Sequence, residues 1–419
     1  MPLLSAYPFR CYPTRCEMGR GFSRLQWKKQ AQLRLCNVSG FITELIEVHC
    51  DRPLLHVLFI PGNPGVVSFY KEFVEAIYGQ LDEKASITAI GHISHTEKNW
   101  EKGRLFSLQE QIDHKIEFVD RQLQNSETPI VLVGHSIGSH ISLEIFRRFP
   151  DKVAYCIGLY PFLTLNKESY QQIFIGTIAM SPILSTIISS LAALFGLLPN
   201  LISASLVKRS VGCSWSSSAV TATCTHLLKY HTVRNALFMA MTEFGKFSEE
   251  PDWTFIRRKG SQISFLFGID DHWGPLSMFE EISKQAPGVS QSLEEEGHTH
   301  AFSCTEAGSV WVACHVVNLI KNQIFGLTLP EHDYMSGENR ESGWRIGESV
   351  AVVTTSENPY IDFSRSMVQM IVEKEIYDQD ELRELLRCFL SLNSKEHHET
   401  IIRAFAGICK YNPGFVRNL

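Results

Sequence analysis

The run Ile130-Val131-Leu132-Val133, the pentapeptide Gly134-His135-Ser136-Ile137-Gly138 and the spacing of Ile141, Ile145 and Phe149 constrain this chain more than any other feature. A short, wholly apolar run predicts a strand buried on both faces, and the four-residue repeat after it predicts a helix. Glycines on either side of Ser136 permit a sharp strand-to-helix turn, because a Cβ at those positions would collide with neighbouring backbone. Such a turn lifts a serine hydroxyl above the edge of a sheet. The arrangement predicts a nucleophile elbow.

Four further apolar runs, Leu55–Ile60, Ile87–Ile90, Tyr155–Leu159 and Ile263–Phe267, alternate with amphipathic stretches of helical length. That rhythm predicts a mostly parallel α/β sheet. The first run ends in Pro61-Gly62-Asn63-Pro64-Gly65, a turn cluster at the carboxyl end of a strand. An ester carbonyl under attack develops negative charge that backbone N–H groups must meet. Ile137, directly after the serine, is one candidate oxyanion donor and Asn63 the other, whereas Pro64 has no N–H to give.

A serine hydroxyl needs a histidine base, and the histidine needs an oriented carboxylate. Both occur downstream, in the chain order of an α/β-hydrolase. Phe265-Leu266-Phe267-Gly268 leads into Ile269-Asp270-Asp271-His272-Trp273, where Asp271 is the candidate acid and Asp270 its alternate. Gly297-His298-Thr299-His300-Ala301-Phe302 supplies His300 as candidate base, with His298 the alternate. This chemistry requires no metal and no organic cofactor.

At 419 residues the chain is long for one domain. A net charge of −6 argues against bulk electrostatic attraction to nucleic acid. The cysteines, 11 in number and without a C-x-x-C pair, fit reduced thiols. Residues 1–40 carry seven Lys or Arg against the single acid Glu17, and no apolar core of signal-peptide length follows. They are read as a basic, disordered N-terminal segment, with an organelle transit segment as the alternative, and the hydrolase unit spans 41–326.

From Ser169 to Val207 no side chain is charged. The segment is long enough to cross a bilayer, yet Pro182 and Pro199 interrupt it. The expected geometry is a bent apolar hairpin or helical cap at 169–207. It would meet a lipid droplet or endoplasmic reticulum surface, or cover the mouth of the site, or do both.

These motifs together resemble the lipid-droplet-associated hydrolase family. The resemblance runs through Phe59 to Gly65, Ser68-Phe69-Tyr70, Gly91-His92 with Ser94-His95, Leu108 to Gln111 with His114-Lys115, the Ser136 elbow, Gly268 to Trp273, and His300-Ala301-Phe302. It implies a triad of Ser136, Asp271 and His300, with activity on lipid esters such as sterol esters or acylglycerols. A place at the droplet or endoplasmic reticulum surface and in the cytoplasm follows from it.

After residue 326 the pattern changes. Residues 327–355 read as a polar linker, and three stripes at helical spacing follow: Phe363, Met367, Met370 and Ile371; Leu382, Leu385, Leu386, Phe389 and Leu390; Ile401, Ile402, Phe405 and Ile408. Ser394 is placed as the N-cap of the last. They predict a small all-α domain over 356–412. Its segments Asn358 to Met367, Glu381 to Leu386, Cys388 to Asn393 and His398 to Phe405 resemble the OVATE domain of plant ovate family proteins. That resemblance implies a plant source, a nuclear location and transcriptional repression through homeodomain-type transcription factors. Balanced charge in this module argues against direct DNA contact. The expected protein is thus a serine lipid ester hydrolase fused to a repressor domain. Two alternatives are a nuclear repressor of plant growth and development with a passenger hydrolase, and two neighbouring genes joined near residue 326.

Overall fold

Strands buried on both faces must be covered by helices on both sides, and the larger unit is built that way. The computed structural model describes residues 29–123, 128–166, 168–211 and 214–325, and positions 363, 367, 385–387, 389–390, 397–398, 400–403 and 405. The chain divides into two units after Glu331. In the larger unit the strands are β1 (Gln32–Val38), β2 (Phe41–Val48), β3 (Leu55–Ile60), β4 (Ala85–Ile90), β5 (Ile130–His135), β6 (Val153–Leu159), β7 (Ile263–Gly268) and β8 (Ser290–Glu294). They form one sheet in the order β1-β2-β4-β3-β5-β6-β7-β8. Pairing is parallel from β4 through β8 and antiparallel for β1 with β2 and β2 with β4.

The helices are α1 (Lys71–Gln80), α2 (Leu108–Phe118), α3 (Ile137–Arg148), α4 (Tyr170–Met180), α5 (Pro182–Gly196), α6 (Asn200–Val211), α7 (Ser217–Ala222), α8 (Tyr230–Lys246), α9 (Trp253–Arg258), α10 (Leu276–Gln285) and α11 (Glu306–Phe325). Alternation along each strand sends side chains to opposite layers. Val57, Phe59, Val131 and Val133 join the core under α1 and α11, while Leu58, Ile60, Ile130 and Leu132 join the core under α2 and α3.

The five apolar runs of the sequence are β3 to β7. Three strands were not expected. β1 lies within the segment read as a disordered extension and begins nine residues before the expected boundary at 41. Ser39 and Gly40, both at positive φ, close a two-residue hairpin from Val38 to Phe41. The basic composition hid this strand: Arg34 pairs across the hairpin with Glu47 at 2.6 Å, while Cys36 and Val38 face the core.

Between β6 and β7 the chain builds a helical cap. The apolar segment breaks at the expected prolines: Pro182 occupies the first turn of α5, Ser181 caps it by accepting from Leu184 N at 3.3 Å, and Pro199 precedes α6. Helices α4 and α5 meet at 98°. Among the described residues no single helix is long and apolar enough to cross a membrane, but this bent pair meets that length and composition together.

In the smaller unit, Met367, Leu385 and Ile401, one from each expected stripe, are buried in one cluster with Phe363, Leu386, Phe389, Leu390 and Phe405 against it. Ile402, counted in the third stripe, is half exposed. Met370, Ile371, Leu382, Ile408 and the Ser394 cap lie outside the described residues, as do 1–28 and the linker.

Candidate active site

β5 ends at His135 and α3 begins at Ile137, leaving Ser136 alone in the turn with φ 55° and ψ −122°. A non-glycine residue at positive φ is strained and persists only where its surroundings hold it. Ser136 N donates to Leu159 O at 2.9 Å, and Ser136 O accepts from Ser139 N at 3.0 Å and Phe162 N at 3.2 Å. The flanking glycines are required by close approach: a Cβ on Gly134 would stand 2.2 Å from Gly138 O, and one on Gly138 would stand 2.2 Å from Ile60 O. Gly138→Ala is therefore expected to cost about 2–3 kcal/mol of stability, because the obstacle is the backbone of a central strand. Urea denaturation checks this, and an unchanged midpoint would show that β3 can retreat.

β7 carries Asp271 into the site. Its side chain is 1% exposed, and Oδ1 accepts from Trp273 N at 2.9 Å. His300 Nδ1 lies 2.9 Å from Oδ2 and 3.0 Å from Oδ1 of Asp271. An ionised carboxylate only accepts, so Nδ1 carries the proton and Nε2 is left as a base. The alternates stand elsewhere: Asp270 is exposed, and the His298 ring packs on Trp311 with centroids 5.6 Å apart. The His300 ring lies 4.7 Å from that of His135, the residue before Ser136. Among the described residues no hydrogen bond joins Ser136 to His300; such contacts tighten when substrate fills a site.

The turn after β3 passes directly over the serine, since a Cβ on Gly62 would stand 3.1 Å from Ser136 Cβ. Its backbone donors can be accounted for one by one. Gly62 N donates to Tyr70 Oη at 3.3 Å, Pro64 has no N–H, and Gly65 N donates to His95 Nδ1 at 2.8 Å. Among the described residues, Asn63 N is the donor left without a partner in this turn. At the start of α3, Ile137 N likewise precedes the helix's own hydrogen bonds. The Asn63–Pro64 peptide is cis.

Several residues that fix this site were not given roles from sequence. Tyr70 Oη accepts from Gly62 N and shares a hydrogen bond with His135 Nδ1 at 2.8 Å, and so ties the turn to the elbow. Burial, and then the neighbouring His300, hold His135 far below the ordinary histidine range. Behind the turn, Gln111 grips Ile93, accepting from its N at 2.9 Å and donating to its O at 3.2 Å. Buried Lys115 donates to Gly91 O at 2.9 Å and to Gln111 Oε1 at 3.1 Å, and burial pulls its pKa well down. Tyr70, His135, Gln111 and Lys115 all lie in motifs already noted, while Ile93 falls between two of them; the signal was there, but most of the contacts are long-range.

Comparisons with known proteins match both units of the chain. The model of a family described as lipid-droplet associated hydrolase fits residues 53–303. The lipid droplet-associated hydrolase of Dictyostelium discoideum is 26% identical over 304 residues, covering 67% of this chain and 94% of that protein. That of Gallus gallus is 29% identical, covering 60% and 80%. A second model, described as transcriptional repressor, ovate, fits residues 356–411. Transcription repressor OFP6 of Arabidopsis thaliana is 63% identical over 77 residues, which is 18% of this chain and 48% of that protein. Among solved structures, a haloalkane dehalogenase of Agrobacterium tumefaciens superposes with a TM-score of 0.55 at 11% identity, covering 70% of this chain and 97% of that one. The epoxide hydrolase of Vigna radiata superposes with a TM-score of 0.51 at 15% identity, covering 70% and 99%. These two show the fold alone: an α/β-hydrolase sheet with a helical cap.

Proposed function

Because the chain belongs to the lipid-droplet associated hydrolase family, we propose that its larger unit is a serine esterase that cleaves sterol esters or acylglycerols at a lipid surface. The observation that carries this reading is the Asp271–His300 pair set beside the Ser136 elbow. His300 Nε2 takes the proton from Ser136 Oγ as the oxygen attacks the ester carbonyl, and Asp271 steadies the imidazolium that forms. The N–H groups of Asn63 and Ile137 receive the oxyanion, helped by the positive end of the α3 dipole. His300 hands its proton to the departing alcohol, leaving an acyl group on Ser136. Water, deprotonated by the same histidine, then attacks the acyl-enzyme; carboxylic acid and free Ser136 result.

The cap supports a lipid substrate. Fifteen of the exposed large apolar side chains fall between Tyr170 and Leu206, against eight elsewhere in the described residues. A patch of that kind marks an interaction with membrane or protein. A droplet has one phospholipid monolayer over neutral oil, so a segment entering it must return on the same side, and the 98° bend of α4 against α5 suits that path. The unit is thus assigned to droplet or endoplasmic reticulum surfaces facing the cytoplasm. The smaller unit is read as a repressor-type module acting in the nucleus on homeodomain-type transcription factors; the OFP6 match supports it.

Replacing Ile183, Leu197 and Leu201, which are 71%, 81% and 87% exposed, by Asp tests the lipid reading without disturbing a core. Each apolar side chain withdrawn from lipid forfeits about 2 kcal/mol. The triple variant is expected to lose at least about 100-fold in hydrolysis of an emulsified long-chain acylglycerol and to keep its rate on soluble p-nitrophenyl butyrate. Equal activity of both proteins on the emulsion would refute a role for the cap, and failure of the wild type on both esters would refute the esterase.

A further inference from the structure

Glu243 is buried in α8, and among the described residues it enters no ion pair. A carboxyl in that position is expensive as an anion, and burial pushes its pKa up to about 8, which favours the neutral form. Leu or Met would fill the same space more cheaply. What the carboxyl does is accept from Asn63 Nδ2, at 3.0 Å from Oε1. The same Nδ2 donates its other hydrogen to Ala236 O, at 2.9 Å, two turns earlier on the helix.

Asn63 is the residue whose backbone N–H remains uncommitted. Its neighbours are anchored to the sheet side of the molecule: Gly62 by Tyr70, and Gly65 by His95. The Asn63 peptide between them is held through its side chain, and that anchor lies in the cap. α8 also packs against α4 through Leu237, Ala240, Ile178 and Ala179. The helix that supports the apolar cap therefore also grips the turn above the nucleophile.

We propose that Glu243 is a positioning residue: through the Asn63 side chain it fixes the orientation of the Asn63 peptide, so that its N–H meets the oxyanion. The inference rests on the esterase reading. An oxyanion donor acts in the transition state and little in the ground state, so loss of its anchor lowers kcat and spares KM.

The test measures soluble-ester kinetics of the full chain, with active sites counted by a fluorophosphonate so that any misfolded fraction is excluded. Glu243→Ala is expected to lower kcat by about 10- to 100-fold, with KM within about twofold of the wild type. Glu243→Gln, which keeps a neutral acceptor, is expected to stay within about threefold of the wild-type kcat. Asn63→Ala, which retains the backbone N–H but loses the hydrogen bonds to both Glu243 and Ala236, should lose at least as much as Glu243→Ala, and the double variant no more than Asn63→Ala. The inference is overturned by an unimpaired Glu243→Ala, by a Gln variant as poor as Ala, or by losses that multiply in the double variant. A wild type that takes no label at Ser136 overturns the esterase reading and this inference with it; a labelled wild type beside an unimpaired Glu243→Ala overturns the inference alone.

Discussion

Ser136→Ala is expected to lower kcat on p-nitrophenyl butyrate by at least about 10⁴-fold, a loss of about 5 kcal/mol of transition-state stabilisation. The variant relieves backbone strain at φ 55° no further than any Cβ-bearing residue would, so its melting temperature should stay close to that of the parent. Loss of rate with retained fold separates chemistry from structure. Residual hydrolysis would come from the oxyanion donors and binding, which act without a nucleophile. Steady-state kinetics on protein of verified helical content checks it; a Ser136→Ala rate within tenfold of the parent would require another nucleophile.

Asp271→Asn is expected to cost about 10⁴-fold in kcat with the fold intact. The carboxylate accepts from His300 Nδ1 and thereby keeps Nε2 free. An amide N–H turned toward Nδ1 forces the proton onto Nε2, and a protonated Nε2 cannot take the serine proton. Asp270→Asn and His298→Ala serve as controls, because one side chain is exposed and the other packs on Trp311. Both should keep the parent rate within about twofold. A large loss in Asp270→Asn with none in Asp271→Asn would reverse the assignment.

Much of the sheet was legible because β3 to β7 are buried along nearly their whole length, and burial on both faces leaves uninterrupted apolar runs such as Val57-Leu58-Phe59-Ile60. The β1–β2 hairpin escaped notice for the opposite reason. It is an edge, with Leu33 and Leu35 outward and Arg34 paired to Glu47, so composition outweighed alternation. β8 is short and largely polar, Ser290 to Glu294, and becomes a strand by adding to the edge of β7. In the site, the elbow announced itself through local geometry. Asp270 and Asp271 are adjacent, and no local pattern says which turns inward; that is set by the hydrogen bond from Trp273 and by the arrival of His300 from 29 residues on. Glu243 was illegible because its partner, Asn63, lies 180 residues away. The cap was legible in composition, and its two prolines fell where the helices break.

The central claim, that Ser136 is the nucleophile of this family member, is tested most directly by reacting the purified full chain with a fluorophosphonate and mapping the adduct by peptide mass spectrometry. One stoichiometric adduct on Ser136, absent after prior denaturation, is the predicted result. An adduct on another residue, or continued ester hydrolysis by a chain that takes up no label, would contradict it.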